Sequence, residues 1–200
     1  MKKTATMLLL LALPWITSCE KQLFDFVITI DQSPSFEVDQ TGAFEVWETI
    51  TSGDLRDALD IPDDADITDV HIEALSLRIE AVEGVNQATA LTVSGEVTDL
   101  IGGRERMFDD FPVPLPTGFV SGLAVDQLIE QGISQLRTHL VNALVNDQDL
   151  AFDVYLEGDS NPPGQRIRLN IYLTIKATVN YSECLEVLEL MSEGDACDGV

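Results

Sequence analysis

The sequence predicts a mainly β fold, sandwich-like with long antiparallel strands and one long amphipathic helix packed on the sheet. Three observations predict it. Over residues 167–179 every second side chain is apolar without a break. Shorter runs at 23–31, 89–98 and 150–156 alternate in the same way. One segment, about 121–146, repeats at helical spacing instead. Strand side chains alternate faces, whereas a helix returns to one face about every 3.6 residues, so the two periods separate the two kinds of element.

In the first strand Phe24, Phe26, Ile28 and Ile30 share a face, with Asp25, Thr29 and Asp31 opposite. Gln32-Ser33-Pro34-Ser35 turns the chain, and 36–38 and 44–50 are short strands around Gly42. Residues 54–59 make a helical turn or two with Ser52 as cap. Pro62-Asp63-Asp64-Ala65-Asp66 is a turn. In the strand over 69–81, Val70 and Ile72 have one parity, while Leu75, Leu77 and Ile79 have the other. A slip of one residue near Ala74 keeps both sets inward, so a β-bulge is expected there.

Leu91, Val93, Gly95 and Val97 alternate in the next strand, expected to form a hairpin with its predecessor around Glu83-Gly84-Val85-Asn86. Pro112, Pro114 and Pro116 recur at every second position. Proline lacks the N–H that a central strand needs, so 102–116 is an edge strand or an extended connector. Val125, Leu128, Ile129, Gly132, Ile133, Leu136, Leu140 and Leu144 form the helical stripe. Gly132 within it permits close backbone approach, at a propensity cost of roughly 1 kcal/mol. Leu150, Phe152, Val154 and Leu156 line the next strand, and 158–164 turn around Pro162-Pro163. The run from Ile167 to Val179 is long enough for a central place in its sheet. With one apolar and one wet face, such sheets need a second layer.

The chain has 200 residues, 45% of them apolar, and a formal net charge of -24. That suits one compact domain with a real core. It also repels phosphate backbones and anionic headgroups, which argues against nucleic acid as a partner. Chemistry-bearing patterns are sparse. Asp63, Asp64, Asp66 and Asp69 offer oxygens that calcium favours, but without the spacing, glycine or closing glutamate of an EF-hand. Solvated turn and cap residues are the plainer reading of these acids and of Asp109-Asp110. His71 and His139 lack ligand companions and are expected at the surface or its boundary, and Trp47 in the core or at its boundary. No nucleophile elbow and no phosphate loop is present, so no enzyme is expected.

At the amino end, Lys2 and Lys3 precede an apolar run from Ala5 to Ile16, followed by Thr17-Ser18-Cys19. The charged start, short apolar stretch and small residues make a signal segment too short to span a bilayer comfortably. It resembles the signal peptide of bacterial lipoproteins, whose lipobox ends in an invariant cysteine. The resemblance covers the first tenth of the chain. It implies removal of residues 1–18, lipidation of Cys19 on sulfur and amine, and attachment through acyl chains. A short tether at 19–22 follows the lipidated cysteine, and the residue pattern beyond it places a β-rich domain at 23–180 and a C-terminal segment at 181–200. Glu20, rather than Asp, follows the cysteine, which favours the outer membrane or cell surface. In such an oxidising compartment Cys184 and Cys197 read as a disulfide closing a small loop. The leading expectation is a noncatalytic envelope or surface lipoprotein that binds another envelope protein or supports an assembly, without a cofactor. The alternatives are a carrier of apolar ligand or lipid, and a calcium-stabilised adhesin-like module.

Overall fold

The computed structural model describes residues 19–59, 65–82, 84–98, 100–115 and 119–188, with backbone alone for 19–32, 119–122 and 184–188. The chain divides into a larger unit, Asp25–Glu183, and a smaller one of Met1–Phe24 with Cys184–Val200. In the smaller unit the described residues are strand backbone. The strands are β1 (Cys19–Gln32), β2 (Ser35–Thr41), β3 (Phe44–Thr51), β4 (Asp66–Ala81), β5 (Ala90–Thr98), β6 (Arg104–Pro114), β7 (Phe119–Ala124), β8 (Ala151–Asn161) and β9 (Arg166–Leu188). The helices are α1 (Ser52–Asp57) and α2 (Glu130–Leu144). One sheet runs β1-β9-β4-β7, with β2 also paired to β9, and the other runs β3-β8-β5-β6.

The strand β9 is central, and all seven inward residues from Ile167 to Val179 are buried. The bulge falls where the parity break requires it. The ladder of β4 on β9 slips between Ile72 and Ala74, and Val70, Ile72, Leu75, Leu77 and Ile79 all face inward as a result. Both sheets and α2 contribute to one core, which joins Leu77, Ile171, Val93, Leu156, Phe108, Leu136 and Leu140. The proline-bearing β6 is an edge strand.

Three expectations need correction. The long helix over 121–146 is not formed as expected. Its first part is β7, paired to β4 through Leu77↔Leu123 and Ser76↔Ala124, and helix begins only at Glu130. Apolar residues near the end of a strand can mimic helical spacing, and here the free edge of β4 decides. The shorter helix still sits tightly on β6. A Cβ at Gly132 would lie 2.3 Å from the Arg106 carbonyl oxygen, so glycine permits main chain to meet main chain. The second correction concerns the cap of α1. Thr51, not Ser52, accepts from the Asp54 N–H, and Asp54 returns the bond in a capping box.

The third correction concerns β4 and β5, which form no hairpin. They lie in different sheets, and the chain crosses between them. Gly84 turns at φ +73°, and the Asn86 amide donates to the Val82 and Arg168 carbonyls while accepting from the Arg168 N–H. Thr89 N–H then donates to the Asn161 carbonyl of β8. These bonds satisfy the backbone of the crossing segment on β9 first and on β8 next.

Candidate functional site

The wet face of the four-stranded sheet gathers a dense array of charged and aromatic side chains. Strand alternation places Glu45, Trp47 and Thr49 of β3 outward while Phe44 and Ile50 are buried. Register then builds rows across the sheet. Trp47 lies opposite Tyr155, Tyr155 opposite Glu96, and Glu96 opposite Arg106. In the adjacent row Glu45 lies opposite Glu157. Two like charges across a ladder repel, and two arginines from the edge strand offset this repulsion. Arg104 bonds to Glu45 at 3.1 Å, and Arg106 spans Glu96 at 2.9 Å, Glu157 and Asp109.

Arg104 also lies 3.5 Å over the Tyr155 ring, a cation–π contact that occupies this aromatic. Trp47 tilts against Tyr155 at 6.4 Å and remains 61% exposed. The expectation of a core or boundary tryptophan is therefore wrong. A usable signal was present, because Trp47 shares its parity with Glu45 and Thr49 and not with Phe44 and Ile50. The arginines of β6 were missed as well, since their partners come from three other strands.

The electrostatics of this face are those of fixed charges. Hydrogen bonding to Glu45 raises the Arg104 pKa, and bonding to Glu96 does the same for Arg106. The Ser94 hydroxyl, 2.9 Å from Asp109, holds that carboxyl below the usual range, and Arg106 adds to the effect. The array is suited to recognition through charge, hydrogen bonds and an aromatic surface.

The remaining candidate residues are dispersed. The Cys19 and Cys184 side chains and all of Cys197 lie outside the described residues, as do Asp63 and Asp64. Asp66 is exposed at the start of β4. Asp69 is engaged elsewhere. Its carboxylate accepts from Arg137 of α2 at 2.8 Å, while Arg137 Nε donates to the Val70 carbonyl at 2.8 Å. Among the described residues no group of three or more His, Cys, Asp or Glu side chains is arranged to hold a metal ion, and no helix is long and apolar enough to cross a membrane. His71 is exposed, as expected. His139 is not at the boundary: it is 4% exposed, stacks on Phe152 at 4.5 Å and bonds to the Thr98 carbonyl at 2.6 Å. A carbonyl only accepts, so Nε2 donates to Thr98, and the imidazole is held in the core by this bond and the Phe152 ring.

No family model matches the chain, and no curated protein does either. Among solved structures, a decameric BFDV capsid protein is similar at 15% identity and a TM-score of 0.40, covering 78% of this chain and 99% of that one. A 60-mer BFDV capsid protein is similar at 10% identity and a TM-score of 0.36, covering 80% and 94%. A structure of infectious bursal disease virus, Gx strain, is similar at 12% identity and a TM-score of 0.30, covering 80% of this chain and 36% of that one. Likeness this remote carries no function across.

Proposed function

We propose that this chain is a lipid-anchored, noncatalytic envelope or surface protein whose β-rich domain binds another protein. The observation that carries the binding part is Trp47, a large indole 61% exposed at the end of an ordered row of aromatic and charged side chains. Aromatic residues in such settings are typical anchors of protein interfaces. The anchor part rests on Lys2, Lys3, the apolar run and Cys19.

The helix–sheet contact favours this reading over an apolar-ligand carrier. At Gly132 the helix meets the β6 backbone without a gap, and Leu136, Leu140 and Ala143 are buried. Each half has its own test. Intact mass of protein isolated from its native envelope should show a chain beginning at Cys19 with a diacylglycerol on sulfur and an acylated amine. An unprocessed amino end or a bare thiol sinks the anchor. A photo-crosslinking amino acid in place of Trp47 should give adducts with another protein in cells, whereas one in place of Glu37, exposed on the other sheet, should not. Absence of adducts at position 47 sinks the binding role.

A further inference from the structure

We infer that the free edge of β3 accepts an extended, lysine- or arginine-bearing segment of a partner protein as an additional strand. This inference deepens the protein-binding reading above and is independent of the anchor.

The edge is polar main chain with a determinable register. β3 ends the four-stranded sheet, and among the described residues it pairs only with β8. Just past the ladder, Ser52 N–H donates to the Leu150 carbonyl at 2.9 Å, whereas Thr51 N–H turns the other way to Asp54. Bonding in an antiparallel ladder alternates between the two sides of a strand. Ile50, Glu48 and Val46 therefore direct their main-chain groups at β8. Thr49, Trp47 and Glu45 direct theirs outward, where another strand can pair with them.

The same three residues present their side chains on the wet face. A segment added at this edge sets every second side chain beside Glu45, Trp47 and Thr49. Tyr155 already carries Arg104 over its ring, and Trp47 is the exposed aromatic next to it. A basic side chain there gains both the indole face and the Glu45 carboxylate.

Charge selects the occupant. Glu48 shares the parity of Val46 and Ile50 yet is exposed, so an inward-type charge stands on the edge strand. Such a charge guards a sheet edge against pairing with itself. A second copy brings another acidic edge on a chain of net charge -24 and is repelled. A cationic extended segment is the complement.

The test is a fluorescence-anisotropy titration of the full chain with labelled nine-residue peptides. One alternates lysine with valine, a second alternates glutamate with valine, and a third is the lysine peptide with alternate backbone amides methylated. The lysine peptide should bind, weakening in high salt, and the other two should bind at least ~10-fold more weakly. Trp47→Ala should lose about 2- to 5-fold in affinity. Thr49→Pro should abolish binding, because it removes an outward N–H and leaves the main-chain bonds to β8 in place, losing only the hydroxyl bond to Asp153, a loss that Thr49→Val reproduces as a control. Equal binding of the glutamate peptide overturns the inference. So does undiminished binding of the methylated peptide, a result that needs no variant to fold. A stable dimer in sedimentation, abolished by Thr49→Pro, would make a second copy the occupant and overturn it equally. A silent titration alongside adducts at position 47 would reject the strand edge while leaving the binding role intact.

Discussion

The strands β9 and β6 follow opposite designs. β9 alternates without interruption, and every inward residue from Ile167 to Val179 is buried. β6 buries two consecutive residues, Met107 and Phe108, and its ladder with β5 slips on both sides of Gly95. Asp110 takes φ 45°, an uncommon value for a non-glycine residue, with its N–H bonded to the Ser94 hydroxyl at 2.9 Å. The regular strand centres its sheet. The irregular strand positions what rests on it: Ile129 N–H at the head of α2 donates to the Met107 carbonyl at 2.7 Å, and Gly132 lies on the Arg106 backbone. Regularity builds the layer, and local irregularity locates the parts.

This contrast can be broken most forcefully at Phe108. It is fully buried, and Gly95 makes room for its ring, since a Cβ there would lie 2.3 Å from it. Phe108→Ala should cost about 3–5 kcal/mol in urea unfolding. Gly95→Ala alone should also destabilise, and its penalty should largely vanish in the Phe108→Ala background; strict additivity would refute the contact. Next in size is Gly132→Ala. An exposed helix would gain about 1 kcal/mol from this change, but overpacking against β6 should leave a net loss of about 1–3 kcal/mol. A rise in melting temperature would contradict the close approach. On the regular strand Ile175→Val should cost about 0.5–1.5 kcal/mol, and its effect should add to that of Phe108→Ala only if the two regions do not share packing.

The smallest effect concerns acid. Asp109 is held below the usual carboxylate range by the Ser94 hydroxyl and then by Arg106, and Glu73 by Thr178 and then Lys176. A depressed folded-state pKa contributes stability that is fully present above the ordinary carboxylate range near pH 4. That contribution is lost as pH falls through the lowered value. Ser94→Ala should therefore flatten the acid limb of a stability–pH curve below about pH 4–5 and leave neutral pH comparatively unchanged. An unaltered acid limb would remove Ser94 from the account.

What could be read from the sequence was what local pattern controls. The parity change from Ile72 to Leu75 announced the bulge, and glycine in an apolar helical stripe announced the close contact at Gly132. Prolines at alternate positions announced an edge. The crossing between β4 and β5 was hidden because Asn86 closes on Arg168, far along the chain. Residues 121–124, expected as the start of the helix, form strand because their pairing with β4, not their own spacing, determines their conformation. The charged face was only half legible. Alternation marks Trp47 as outward, but the ion pairs that organise its surroundings depend on register among four strands.

The contact at Gly132 has an evolutionary consequence. The nearest β6 atoms to Gly132 are peptide atoms of Arg106 and Met107, so this approach does not depend on which side chain that stretch of strand shows the solvent. Arg106, directly over the contact, can drift or be exchanged without dislodging the helix beneath. The scaffold thereby separates inheritance of shape from diversification of surface, and its outer face can be rewritten for new recognition while the interior stays as it is.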